Sequence, residues 1–383
     1  MSQQIPVLLD ATSLPPNWGG VARYIEGLLS GLEERGIALE VVAKPTDIGR
    51  LRLAAPGHRY HAGPAALRSR PVRFAWEQIG LPRLAAKLAV RAIHSPHYTH
   101  PLATRRARIV TVHDATFFSE PEVHSRLKRT FFTFWTRRAA RSASALIAPS
   151  RATADAVAHA VGIDAERIRV AYLGVDAEVF APPVAPDVTA FAREHGLDGP
   201  EGWIAFLGTI EPRKNVPALL RAYAALRGER AARSESSPAL VLSGSRGWDD
   251  EAARMLDTLG TGSGVVEAGY LPLGELSAFL GGSRMVAYPS LGEGFGLPVL
   301  EAMACGATVL TTDRLSIPEV GGDAVAYTEP DERSMTAALD ALLGDDERRH
   351  ALGDAALERS RSFTWAACAG VHEQVYREAG AAA

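Results

Sequence analysis

Short apolar runs and longer stretches with apolar residues every three or four positions take turns along this chain. The runs IPVLLD (5–10), LEVVA (39–43), RAIHS (91–95), ARIVTVHD (107–114) and ALIAPS (145–150) have the length and composition of buried strands. After the first, the turn PPNWGG (15–20) leads into an amphipathic helix predicted from Val21 to about Glu34. Strands alternating with helices predict a parallel sheet covered on both faces. The stretch 45–90 is rich in Arg and Pro and poorly periodic, and no element is assigned within it. APPVAPDV (181–188) then reads as a linker, with three prolines in eight residues. The alternation restarts with GWIAFLG (202–208), a helix from about Val216, ALVLSG (239–244), a helix near 250–260, VVEAGY (265–270), a helix near 273–281, MVAYPS (285–290) and ATVLTT (307–312). The fold class is therefore α/β, with two doubly wound domains at 1–182 and 190–363. A length of 383 residues suits two cores better than one.

In doubly wound sheets ligands bind beyond the carboxyl ends of the strands, so two such domains predict a substrate cleft. Several motifs lie at those ends. In SLGEGFGLPVLEAMACG (290–306), Glu293 falls in a loop and Glu301 in a helix opening near Pro298. Gly294 and Gly296 permit tight turning or close approach of a ligand. The helix start offers N–H groups to anionic oxygens, whereas a carboxylate suits sugar hydroxyls. In GTIEPRKNV (208–216), the fork of Arg213 and the mobile charge of Lys214 suit a diphosphate, although a solvated basic turn has the same composition. NWGGVARY (17–24) places Gly19 and Gly20 before the first helix, where they fit either a phosphate turn or an ordinary one; the G-x-G-x-x-G spacing is absent. His113 and Asp114 end the strand TVHD, and His113 reads equally as a structural residue. His94, His97 and His100 lack zinc-ligand spacing, so no metal site is expected.

Composition narrows the class. The chain is 47% hydrophobic and 22% charged, with no run of about 18 uncharged apolar residues. The start lacks a basic segment followed by a long apolar one, and Cys305 and Cys368 have no ligand-like neighbours. A reduced cytoplasmic setting is expected. The net charge of −3 conceals an asymmetry: residues 1–181 carry 24 Lys+Arg against 15 Asp+Glu. A basic first half suits an anionic partner, of which nucleic acid, an anionic lipid surface and a phosphorylated acceptor are the candidates. SRLKRTFFTFWTRRAAR (125–141) mixes basic residues with Phe131, Phe132, Phe134 and Trp135. It reads either as a helix packed under the domain or as one that seeks a membrane surface.

Taken together, Gly19-Gly20, VHD (112–114), APSRATADAV (148–157), GTIEPRKN (208–215) and PSLGEGFGLPVLEAMACG (289–306) resemble the retaining glycosyltransferases of family four. LSIPEVGGDA (315–324) and SFTWAACAGVHEQVY (362–376) fit the same family, and the resemblance spans nearly the whole chain. It implies the GT-B fold, two facing Rossmann-like domains with a terminal helix (364–383) crossing back to the first. It also implies an acceptor-binding N-terminal domain and a donor-binding C-terminal one. By the resemblance, Arg213, Lys214 and Gly20 would hold the donor diphosphate, Glu301 the ribose and Glu293 the sugar. Gly294 to Pro298, with Phe295, Gly296 and Leu297, would line the sugar and phosphate site. Gly269, Tyr270 and Leu271 would form the turn at the base, and His113 would stand beside the reacting sugar. No cofactor or divalent ion is implied. The expected partners are a nucleotide-sugar donor, first of all GDP-mannose, and a glycan or polyprenyl-diphosphate-linked acceptor in cell-surface polysaccharide synthesis. Nucleic acid is not among them. Peripheral attachment to the inner face of the cell membrane fits the basic first half. A UDP-sugar transferase, a sugar-nucleotide epimerase, a glycoside hydrolase using both glutamates and a non-catalytic binder are the rivals. A hydrolase needs carboxyl groups about 5–9.5 Å apart and no diphosphate clamp.

Overall fold

The computed structural model describes residues 3–15, 18–119, 126–260 and 262–381. Pro16 and Asn17 of the first turn, Ser125, and the terminal Ala382 and Ala383 lie outside the described residues. The chain forms two compact units: Met1–Gly174 together with Phe363–Ala383, and Val175–Ser362. The expected boundary at 181–188 lies inside the second unit. Its prolines are helix-compatible: Pro186 sits in the first turn of the helix Ala185–Glu194, where a missing N–H costs nothing.

The first unit is built on strands β1 (Gln3–Asp10), β2 (Ile37–Ala43), β3 (Arg59–Ala62), β4 (Ala92–Ser95), β5 (Ala107–Thr111), β6 (Ala145–Ala148) and β7 (Ile168–Val170). All pair in parallel, in the order β3-β2-β1-β4-β5-β6-β7. The second unit has β8 (Trp203–Leu207), β9 (Ala239–Ser243), β10 (Val265–Gly269), β11 (Met285–Tyr288), β12 (Val309–Thr311) and β13 (Ala326–Tyr327), again all parallel, in the order β10-β9-β8-β11-β12-β13. Each sheet reverses its strand order once, between β1 and β4 and between β8 and β11. Beyond the carboxyl ends at such a reversal the flanking loops part and leave a crevice.

Three strands went unpredicted, and all are sheet edges. β3 and β7 border the first sheet and β13 the second. An edge strand is half exposed and short, so it carries no apolar run. Within 45–90 the structure also has helices Pro45–Ala54 and Arg70–Lys87; Pro82 lies inside the latter, which hid its periodicity.

The terminal helix Trp365–Ala381 belongs to the first unit, as expected from the crossing-back pattern. Its seat is made by small residues. A Cβ at Gly31 would stand 2.3 Å from the Trp365 carbonyl oxygen, and one at Gly27 2.1 Å from the Trp365 ring. A directed chain of buried hydrogen bonds then ties the helix to the sheet. His372 Nδ1 donates to the Cys368 carbonyl at 2.9 Å, and Tyr24 donates its hydroxyl to His372 Nε2 at 2.7 Å. Thr111 donates to Tyr24 at 3.0 Å, His94 Nε2 to Thr111 at 2.8 Å, and Tyr376 to His94 Nδ1 at 2.8 Å. One assignment of tautomers, with both imidazoles neutral, satisfies every link. Gly31→Ala is expected to lower the melting temperature by several degrees, because backbone must move to admit the methyl. The exposed Gly228 of the helix Val216–Ala232 has nothing within 4 Å of a Cβ. Gly228→Ala should instead stabilise by about 0.5–1 kcal/mol. Scanning calorimetry of both variants checks the contrast.

Candidate active site

At the strand reversal of the second unit, the loops after β8 and β11 are bonded to each other. Leu291 N–H donates to the Arg213 carbonyl at 2.7 Å, with Ser290 Oγ 3.0 Å from the same oxygen. Ser316 Oγ donates to the Glu293 carbonyl at 2.8 Å, and Thr312 Oγ1 to that of Ser290 at 2.5 Å. These bonds hold four charged side chains together, three of them buried. Glu293 Oε1 accepts from Lys214 Nζ at 2.6 Å, from Tyr288 at 2.8 Å and from Ser290 at 2.8 Å. Its Oε2 pairs with Arg213 Nη1. Arg213 Nε is paired with Glu211 Oε1 at 2.7 Å, and its Nη1 also donates to the Gly292 carbonyl at 3.1 Å. Lys214 donates to the Tyr288 hydroxyl and stands 4.5 Å from the centre of that ring.

Two cations thus face two carboxylates in a largely buried cluster. Burial pushes the Glu293 carboxyl up, but the adjacent Arg213 and Lys214 charges outweigh it and hold the group well below the usual carboxylate range. Burial and the Arg213 charge lower Lys214, and Glu293 and Glu211 oppose that. Burial and Glu293 raise Tyr288 far above the usual phenol, so it remains a donor. The sequence reading separated a cation clamp from a sugar-contacting Glu293; in the structure Glu293 is the counter-ion of both cations. Glu211, Tyr288 and Ser290 were missed. Glu211 stood in the same EPRK segment as the two cations, whereas Tyr288 and Ser290 carried no local signal.

The helix Leu297–Ala304 follows the turn, with Gly296 as its N-cap at φ +100°. That left-handed backbone explains the glycine there. Gly294, Phe295 and Leu297 are buried, Pro298 is partly exposed, and Glu301 is buried in the helix beside Cys305. Burial and the Glu301 charge push the Cys305 thiol up to about 12, so it is inert. Beyond β8, β9 and β10 the backbones converge. Gly244, at φ +136°, would place a Cβ 2.1 Å from the Gly208 carbonyl oxygen, and its N–H donates to the Gly269 carbonyl at 2.7 Å. Next to this floor Leu271 is buried, whereas Tyr270 is 68% exposed.

The remaining predicted residues lie in the first unit. Gly19 caps the helix Gly20–Glu34, and a Cβ at Gly20 would meet nothing within 4 Å. Packing therefore does not require glycine at that helix start. His113 lies edge-on to Tyr24 of the same helix, with ring centres 4.7 Å apart. Its Nε2 donates to the Pro96 carbonyl at 2.8 Å, and burial lowers the ring to about 4. The imidazole is neutral at pH 7, with Nδ1 as its acceptor.

Local spacing gave no metal site, but three separate segments bring Asp10, Glu77 and His97 together, with one ligand atom of each within 4.8 Å of the others. A guanidinium already stands there. Arg73 Nη1 donates to Glu77 Oε2 at 2.9 Å and approaches His97 Nε2 at 3.3 Å. Burial pushes the Glu77 carboxyl up, but hydrogen bonds and charge from His97, with Thr99 and Arg73, bring it below the usual range. Arg73 and Thr99 answer Glu77, while Asp10 Oδ2 and His97 Nδ1 are buried without a hydrogen-bond partner among the described residues.

Sequence comparison agrees with this architecture. The family described as "Glycosyl transferases group 1" matches residues 187–359, and "Glycosyltransferase Family 4" matches residues 18–179. The chain belongs to these glycosyltransferases and is a hexosyltransferase with two Rossmann-like domains of the GT-B class. It is 31% identical over 277 residues to the O-antigen chain mannosyltransferase B of Escherichia coli, covering 72% of this chain and 71% of that one. Among solved structures it is similar to a sucrose-phosphate synthase from Thermosynechococcus elongatus, with TM-score 0.78 and 20% identity over the full length of both chains. It is also similar to HepE of Anabaena in complex with UDP and glucose, with TM-score 0.73 and 18% identity over 97% of this chain and 98% of that one.

Proposed function

We propose that the chain transfers mannose, with retention of anomeric configuration, from GDP-mannose to a glycan or polyprenyl-diphosphate-linked acceptor in cell-surface polysaccharide synthesis. The observation that carries the reading is the buried Arg213–Lys214–Glu293 cluster at the strand reversal of the second unit. The E. coli relative, named for mannosyl transfer to an O-antigen chain, supports the sugar and the acceptor class. The donor diphosphate competes with Glu293 and Glu211 for Arg213 and Lys214. As the glycosidic bond to the diphosphate breaks, negative charge grows on the leaving phosphate, and the guanidinium fork and ammonium stabilise it. The acceptor hydroxyl attacks the anomeric carbon on the face the phosphate leaves, and a phosphate oxygen takes its proton. Glu301 receives the ribose hydroxyls, and the glycine floor with Tyr270 and Leu271 receives the base. In the first unit, the helix start at Gly20 and neutral His113 serve the reacting groups.

Incubation with labelled GDP-mannose and a lipid-linked acceptor, with the product's anomeric configuration read by NMR, tests the reading. Inverted product removes retention, and an epimerised donor formed without acceptor removes transfer. A uridine donor is the second reading, favoured by the likeness to HepE with its bound UDP. A thermal-shift series over GDP, UDP and ADP separates the two. Glu301→Ala is expected to weaken binding of the stabilising nucleotide about tenfold to a hundredfold, the loss of charged hydrogen bonds to hydroxyls. Unchanged affinity by calorimetry removes its ribose role.

A further inference from the structure

The helix Arg126–Ser142 carries none of the residues placed in the reaction above. Trp135, Thr136, Ala139 and Ala140 are buried in the first unit and fix one face. At about 100° per residue, Leu127, Phe131 and Phe134 fall together on the opposite face. They are 82%, 39% and 56% exposed. Arg137 and Arg141 run along one flank of this apolar ridge, and Arg138 falls within it, between the directions of Leu127 and Phe131. The helix contains no acidic residue. A groove of about 790 Å³ runs beside it against Phe117 and Phe118, lined by Arg126, Arg129, Arg137, Arg138 and Arg141. Among the described residues, none of these five guanidiniums is paired with a carboxylate.

An apolar ridge in water and five uncompensated like charges are both unfavourable unless one partner answers both. An acidic protein or a nucleic acid would meet the arginines but has little use for Leu127. The headgroup layer of an anionic bilayer meets both, with phosphates at the flanks and acyl chains beneath. No helix among the described residues is long and apolar enough to cross a membrane, so contact here is parallel to the surface. We propose that this helix docks the protein on anionic phospholipid bilayers, its Leu127–Phe131–Phe134 ridge entering the acyl boundary while the flanking arginines hold lipid phosphates. The proposal stands on the helix face alone and is independent of the donor and the reaction.

The test is sedimentation of the full chain with vesicles of phosphatidylcholine, with and without phosphatidylglycerol. Binding is expected only with the anionic lipid and should fall with added salt. The triple variant Arg137→Gln, Arg138→Gln, Arg141→Gln should lower the partition coefficient roughly a hundredfold, at about fivefold per charge. Leu127→Ser with Phe134→Ser should weaken binding while every charge remains. Nucleotide-induced thermal stabilisation of each variant, unchanged from the parent, shows that the fold survives. Absence of binding to anionic vesicles, equal binding to neutral ones, or indifference to both variants overturns the proposal. Binding to a homopolymer RNA without vesicle binding also overturns it, in favour of a nucleic-acid surface.

Discussion

Lys214→Ala is expected to lower kcat/KM for sugar transfer by about two to three orders of magnitude, the usual consequence of deleting a preorganised charge at a developing anion. The residue is 5% exposed and bonded to Glu293 Oε1 at 2.6 Å, so the ammonium is already desolvated and aimed. Once the donor diphosphate has displaced Glu293 from it, the ammonium faces the departing phosphate in a site that is already dry. Arg213→Ala should cost a similar factor, and the double variant less than the product, because both cations share Glu293. The more discriminating substitution is Glu293→Gln. If the carboxylate serves mainly as counter-ion, its loss leaves a buried net positive charge, destabilising the free protein by about 3–5 kcal/mol. A nucleoside diphosphate would then supply the missing charge and raise the melting temperature by more than it does in the parent. If Glu293 instead mainly contacts the donor sugar, nucleotide stabilisation is unchanged and only transfer falls. Thermal shift with the diphosphate alone, beside initial rates, separates the two. A smaller nucleotide shift in Glu293→Gln would sink the counter-ion role.

The interior of both sheets was legible because a strand buried on both faces must be an apolar run: Leu8, Ile93, Val110, Phe206, Val241 and Val286 all sit in such runs and are fully or nearly fully buried. β3, Arg59–Ala62, was not, since an edge strand of Arg, Tyr, His and Ala has the composition of a loop. The proline-rich stretch 181–188 lies a few residues inside the compact second unit, which begins at Val175, and Pro186 there opens a helix. At the site, Arg213, Lys214 and Glu293 could be picked out because each follows a strand end by a few residues, and Glu301 because it shares a motif with Glu293. Their mutual bonding could not. The Lys214–Glu293 contact spans 79 positions and depends on β8 and β11 being neighbours, a fact of strand order rather than of local pattern. The set of Asp10, Glu77 and His97 was hidden in the same way, as was the pairing of Tyr24 with His372 across 348 positions.

That last pairing makes the first unit sensitive to acid. His100 and His372 are buried and held near 4, chiefly by burial, and His94 is pushed well below its ordinary value by burial and the neighbouring imidazoles. In the unfolded chain each titrates near 6.5, so between about pH 6.5 and 4 the unfolded state binds more protons and stability must fall as pH falls. Each fully buried imidazole contributes a slope of about 1.4 kcal/mol per pH unit in that window, or up to about 3 kcal/mol across it. Geometry gives the same sign. In the chain from Cys368 through His372, Tyr24, Thr111 and His94 to Tyr376, a second proton on either imidazole would force its tyrosine hydroxyl to reverse from donor to acceptor and break the present order. Glu77 and Glu293, both held below the usual carboxylate range, remain ionised through most of this window, so the loss belongs to the histidines. Urea unfolding at pH 7.5, 6 and 5, with fluorescence and circular dichroism followed together, should show a first transition moving to lower urea with acid. His372→Gln should flatten that dependence while lowering stability at pH 7.5. A first midpoint that does not move between pH 7.5 and 5 would show that these imidazoles accept protons in place, and that the terminal helix is held by packing of Trp365 against Gly27 and Gly31 rather than by the neutral chain.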